Sequence, residues 1–114
     1  MVKETVLGII HNYLQAVNQA GIETRRAVLF GSWAKGEAHD ESDVDLIVIA
    51  PEFDGEWKRD LLDQLWELTA LVPDAWRIEP IACGEREWLE DTERPILEYA
   101  RQEGEVITLE PEMA

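Results

Sequence analysis

The stretch from residue 28 to residue 49, VLFGSWAKGEAHDESDVDLIVI, most constrains what this chain can fold into. It begins and ends with continuous apolar runs, which are typical of strands buried on both faces of a sheet. The first run ends in a Gly-Ser turn, and two aspartates precede the second. Nearly all side chains able to do chemistry lie between the two runs. We therefore expect a functional site where these two strands end.

The two aspartates, Asp43 and Asp45, are two residues apart at the start of the second strand, so their side chains leave the same face. Their Cα atoms would lie about 6.5 Å apart, close enough for both carboxylates to share a metal centre. Carboxylates this close repel each other unless a cation or protons intervene. Oxygen-only ligands favour Mg²⁺ or Mn²⁺, and Mg²⁺ normally draws on substrate phosphates as well.

Gly31 and Ser32 stand where the first strand turns into a short helical segment. Backbone N–H groups there can meet phosphate oxygens, glycine permits close approach and the serine hydroxyl adds a donor. A P-loop is excluded because Glu37 and Ala38 stand where Lys and Ser/Thr are required. A calcium-binding EF-hand is excluded because no register of DESDVD supplies oxygen ligands at positions one, three and five with glycine at six. Hydrogen-bond donors for phosphate oxygens, beside carboxylates that can bind a metal ion, are the groups needed to bind a nucleoside triphosphate.

The rest of the chain alternates helical and strand patterns, which favours an α/β fold: a small β-sheet with helices packed on it. Helices are predicted over residues 2–20, 55–72 and 95–103, with short helical segments at 32–36 and 85–90. Strands are predicted over residues 25–31, 44–50, 76–83 and 106–109. At 114 residues, the chain is expected to form one domain, residues 1–114.

Glu79 is the predicted third carboxylate, because it lies in an otherwise apolar strand where a lone buried charge would be costly. Pro80 beside it cannot donate a ladder hydrogen bond, so this strand is expected at a sheet edge or at a bulge. The alternative is that the edge strand exposes one face and Glu79 simply faces water. Asp74, in the preceding turn, is the second candidate for the third metal ligand.

The net charge of −15 predicts that this surface repels nucleic-acid phosphates, so direct DNA or RNA binding is not expected. It suits divalent cations and basic partner proteins. A single cysteine, Cys83, excludes an internal disulfide and a Cys-based zinc site. The sequence shows no N-terminal signal and no apolar run near the ~18 residues of a membrane span. We therefore expect a cytoplasmic protein that does not bind membranes.

The order Gly31-Ser32, ten residues, Asp43-Val44-Asp45 resembles the signature of the nucleotidyltransferase superfamily related to DNA polymerase beta. The fuller pattern, GSWAKGEA through SDVDL, resembles its minimal nucleotidyltransferase branch. The resemblance implies a compact α/β fold with a mixed sheet, as in the polymerase beta palm. It also implies transfer of a nucleoside monophosphate from a triphosphate to an acceptor.

Carried over by position, Gly31 and Ser32 would bind the triphosphate. The implied metal ligands, for two Mg²⁺ ions, are Asp43, Asp45 and Glu79. Relatives often have aspartate at the third position. Lys35 stands where the family has Arg or Lys and would contact phosphate, although a solvated lysine fits equally well.

Minimal members of the superfamily commonly act as antitoxins paired with a helical toxin of the HEPN type, and several transfer AMP from ATP to a toxin tyrosine. The resemblance therefore implies ATP as substrate and a HEPN-type toxin as partner. Two alternatives stay open: neutralisation by complex formation without catalysis, and nucleotidyl transfer to a small molecule such as an aminoglycoside. Self-association into a homo-oligomer is open as well. Template-directed polymerisation is disfavoured because no basic surface is available for a template.

Overall fold

A four-stranded mixed sheet with helices on both faces forms the centre of the protein, in a computed structural model that describes residues 3–39, 42–56, 58–91 and 93–109. Within these ranges the helices are α1 (Lys3–Gln19), α2 (Ser32–Lys35), α3 (Arg59–Leu71), α4 (Glu85–Glu90) and α5 (Pro95–Glu103). The strands are β1 (Arg26–Phe30), β2 (Val44–Ile49), β3 (Ile78–Cys83) and β4 (Glu105–Thr108). None of these helices is long and apolar enough to cross a membrane.

The strand order is β3-β2-β1-β4. β2 runs antiparallel to β1 and parallel to β3, and β4 runs antiparallel to β1. The end of β1 therefore meets the beginnings of β2 and β3 at one end of the sheet. At that end Phe30 pairs with Asp45, and Asp45 pairs with Glu79. β3 is an edge strand, as Pro80 predicted.

The two faces of the sheet carry separate apolar clusters. α1 and α3 pack on one face, where the buried Tyr13 hydroxyl donates a hydrogen bond to the Leu65 carbonyl at 2.7 Å. α4 and α5 pack on the other face through side chains that include Trp88 and Leu97. This arrangement confirms the prediction that the central strands are covered on both faces.

Two predicted boundaries are wrong by more than one residue. α3 begins at Arg59 rather than at residue 55, because Pro51–Phe53 form a 3₁₀ turn and Gly55 has a φ of 85°. β3 begins at Ile78 rather than at residue 76, because Ala75–Arg77 form a second 3₁₀ turn. Trp57, predicted on the inner side of the long helix, lies outside the described residues.

Candidate active site

Asp43, Asp45 and Glu79 share one face and one end of the sheet. Further along β2, Ile47 and Ile49 belong to the apolar cluster beneath α4 and α5, and Ile81 on β3 packs against the same cluster. Alternation along the strands places Asp45 and Glu79 on this same face, with Asp43 two residues before Asp45. Asp45 is half-buried, whereas Asp43 and Glu79 are exposed. The carboxylates thus lie where the apolar cluster ends and solvent begins.

The three carboxylates influence one another electrostatically. Burial raises the pKa of Asp45 above its ordinary value, and the charge of Asp43 raises it further, while a hydrogen bond with Glu79 opposes the shift. Partial loss of solvent also raises the pKa of Glu79, and the charges of Asp43 and Asp45 add to it. These shifts mean that a proton is held between Asp45 and Glu79 more readily than on an ordinary carboxylate. The site favours positive charge.

Gly31 lies directly against the Asp45 carboxylate. Its backbone has a φ of 74° and a ψ of −151°, a conformation that is nearly restricted to glycine. A Cβ built on Gly31 would overlap Oδ2 of Asp45 and lie 3.4 Å from its Cγ. The predicted glycine turn and the predicted metal-binding carboxylate are therefore in contact. Ser32 follows as the first residue of α2 and is half-buried.

Lys35, at the end of α2, is exposed, and its ammonium group lies 5.1 Å from the ring centroid of Tyr99 on α5. A hydrogen bond to Tyr99 is the main cause that raises the pKa of Lys35, with smaller contributions from Glu103 and Glu37. Sequence reasoning missed Tyr99. The only available signal was an aromatic residue on the outer side of α5, between the buried Leu97 and Ala100.

Among the described residues, no group of three or more His, Cys, Asp or Glu side chains is arranged closely enough to hold a metal ion by itself. The second candidate ligand, Asp74, is exposed in a turn with a φ of 63° and does not affect the pKa of Asp45 or Glu79. Glu79 is therefore the third acid that the fold brings to the aspartates. Burial, with a smaller effect of Glu87, raises the pKa of the Cys83 thiol to about 12, so it is not a nucleophile at neutral pH.

A cavity of about 520 Å³ lies at the opposite end of the sheet, away from the carboxylates. It is lined by both charge signs, including Lys58 and Arg86 beside Glu87 and Glu90. The sequence did not predict it. The cavity therefore does not coincide with the residues that carry the candidate chemistry.

The comparisons with known proteins concern the family and the fold. The profile of the family described as nucleotidyltransferase domain matches residues 10–102, a range that contains every predicted site residue. A solved structure from Sulfolobus solfataricus, assigned as a nucleotidyltransferase, has a TM-score of 0.54 at 18% identity and covers 75% of this chain and 72% of that one. A structure of a toxin-antitoxin with AMP-PNP has a TM-score of 0.56 at 18% identity, covering 84% of this chain and 70% of that one. At such identities the likeness shows the fold alone. A search of curated proteins finds no significant match.

Proposed function

Because this chain belongs to the nucleotidyltransferase domain family, we propose that it is an Mg²⁺-dependent antitoxin that transfers AMP from ATP to a tyrosine of a HEPN-type toxin. The main support for this proposal is one observation on the sheet. The register of three strands sets Gly31, Asp45 and Glu79 side by side at one end of the sheet. Family membership supports nucleotidyl transfer, and the toxin-antitoxin neighbour supports the choice of a toxin as partner.

The donor set of the site fits Mg²⁺, with Mn²⁺ as a substitute, because Asp43, Asp45 and Glu79 offer only carboxylate oxygens. Their mutual repulsion is what a divalent cation would relieve. Mg²⁺ usually takes one or two protein carboxylates and completes its shell with water and substrate phosphates, so a finished three-ligand protein site is not required. Bound there, the metal would neutralise charge on the transferring phosphoryl group.

The chain's own residues then have separate tasks. Backbone N–H groups at Gly31 and Ser32, with the Ser32 hydroxyl, hold the triphosphate. The phenolic oxygen of the acceptor tyrosine forms a bond to the α-phosphorus, the bond from that phosphorus to the bridging oxygen breaks, and pyrophosphate leaves. The phenolic proton passes to a carboxylate of the site as the oxygen attacks.

The acceptor is proposed to be a protein because of the charge of this chain. A net charge of −15 in 114 residues favours a basic partner, such as an enzyme that cleaves RNA. AMP attached beside the RNA-cleaving site would add bulk and negative charge, which would exclude RNA by repulsion.

Neutralisation by complex formation alone is the second candidate. Trp66 and Trp76 leave 52% and 67% of their surfaces exposed, and exposed tryptophans are frequent at the centres of protein interfaces. The two candidates make different demands on the carboxylates, since a purely binding antitoxin does not need them.

The deciding experiment incubates the protein with ATP labelled at the α-phosphate, Mg²⁺ and the toxin encoded beside it. We expect label on a toxin tyrosine, loss of labelling with Asp43→Asn or Asp45→Asn, and full labelling with the control Asp63→Asn on the exposed side of α3. A toxin that stays unlabelled would contradict the proposal. If both active-site variants still neutralise the toxin fully, complex formation is the function.

A further inference from the structure

Tyr99 touches two parts of the candidate site at once. The Lys35 ammonium lies over its ring, and the ring of Phe30 meets it edge-on, with centroids 6.2 Å apart and an interplanar angle of 75°. Phe30 directly precedes Gly31 and pairs with Asp45. Tyr99 therefore connects the lysine to the same strand end that carries the glycine turn.

The supports on the two sides of this contact differ in rigidity. Lys35 has a long flexible side chain and ends a helix of only four residues. Tyr99 stands on the nine-residue α5, which is anchored by the buried side chains of Leu97 and Ala100. Fixing an ammonium group before a substrate arrives reduces the entropy lost on binding. Tyr99 supplies such fixation through its ring.

The lysine also has competing partners. The carboxylates of Glu37 and Glu103 also attract it. Without Tyr99, the ammonium would be free to turn towards these acids or into solvent. From this arrangement we infer that Tyr99 is a positioning residue, which holds Lys35 beside the glycine turn so that its ammonium meets the β- and γ-phosphates of the bound nucleotide. The inference rests on the proposed function and deepens it.

The test compares binding of ATP and of AMP, both with Mg²⁺, by calorimetry. A lysine that contacts the β- and γ-phosphates matters for ATP and not for AMP, whereas a structural defect weakens both. We expect Lys35→Met to weaken ATP binding by about tenfold, the size of a charge-assisted hydrogen bond at an exposed site. Tyr99→Leu should weaken ATP binding about threefold and leave AMP binding unchanged.

The double variant gives the decisive result, because a residue that acts through Lys35 has nothing left to position once Lys35 is replaced. Tyr99→Leu should therefore have no further effect in the Lys35→Met background. Ile96→Ala is the matched control, since Ile96 lies on α5 and is 37% exposed against 38% for Tyr99. It should bind ATP like the wild type.

Failure of the positioning role and failure of the proposed function give different binding results. If Tyr99→Leu weakens AMP and ATP equally, or still weakens ATP in the Lys35→Met background, the positioning role is wrong. The same holds if wild type and Tyr99→Leu bind ATP equally well. If the wild-type protein itself does not bind ATP with Mg²⁺, the proposed function fails and the inference fails with it.

Discussion

The two ends of the sheet each seat an aspartate against a glycine, but they use the carboxylate in opposite ways. At one end Asp45 lies against Gly31, and at the other Asp54 lies against Gly84, where an added Cβ would overlap Oδ1 of Asp54. Asp54 accepts hydrogen bonds from two backbone N–H groups at the start of α4, both at 3.2 Å. Asp45 has instead Asp43 and Glu79 as neighbours, which are also acids.

The end of the sheet that carries Asp54 is a paired end, because a second carboxylate there, that of Glu87, also has partners. Glu87 accepts a hydrogen bond from the Gly84 N–H at 3.1 Å. It also forms an ion pair with Arg94, at 2.8 Å between the nitrogen and the oxygen. Arg101 donates to the Trp88 carbonyl, satisfying the end of α4. Among the described residues, no ion pair reaches Asp43, Asp45 or Glu79. We therefore expect the carboxylates at one end to stabilise the fold and those at the other end to reduce its stability, as is common at functional sites.

The largest effect is expected from Gly31→Ala. The new Cβ would overlap the Asp45 carboxylate, and the backbone conformation is nearly restricted to glycine, so we expect a loss of about 3 kcal/mol in the free energy of unfolding. Gly36→Ala is the matched control: its φ is 75°, but nothing lies within 4 Å of the added atom. It should cost about 1 kcal/mol. Urea unfolding in the presence of EDTA measures both, and equal losses would show that contact with Asp45 is unimportant.

An intermediate effect is expected at the paired end from Asp54→Ala. This variant removes the acceptor for two N–H groups of α4, and the loss of a comparable helix cap costs about 1–2 kcal/mol. The same unfolding experiment checks it. An unchanged stability would mean that water replaces Asp54 without cost, and the contrast between the two ends would disappear.

The smallest effect, and one of opposite sign, is expected from Asp45→Asn in metal-free protein. Removing one of three neighbouring negative charges should raise the free energy of unfolding by about 0.5 kcal/mol, a value kept small by solvent screening of the half-exposed group. A raised carboxyl pKa means that the folded protein holds a proton that the unfolded chain has released. The wild type therefore loses stability as pH rises from the unfolded pKa of about 3.9 to the raised folded pKa.

The free energy of unfolding of Asp45→Asn should accordingly exceed that of the wild type by more at pH 7 than at pH 4. Denaturation at both pH values in EDTA measures it. An Asn variant that is less stable than the wild type at pH 7 would show that Asp45 makes a stabilising interaction and is not repelled by its neighbours.

The part of this architecture that could be predicted from sequence is the part encoded locally. The apolar runs predict β1 and β2, and the strand periodicity places Asp43 and Asp45 on one face. Neither prediction needs to know which strands pair with each other. The two hydrogen bonds of Asp54 with α4 join residues that are 32 and 33 positions apart in the sequence. A local sequence pattern therefore cannot predict them. The pairing of Asp45 with Glu79 likewise required the strand order, which chain order does not determine.

Thermal unfolding of the wild type and of Asp45→Asn, in EDTA and in saturating Mg²⁺ with ATP, tests directly whether the carboxylate end of the sheet binds metal and nucleotide. In EDTA the Asn variant should unfold at the higher temperature. In Mg²⁺ with ATP the order should invert, because a ligand at 100 times its dissociation constant stabilises the protein that binds it by about 2.7 kcal/mol. Asp63→Asn should follow the wild type in both conditions. If Asp45→Asn keeps the same advantage in Mg²⁺ with ATP, the carboxylate end of the sheet is not a metal–nucleotide site.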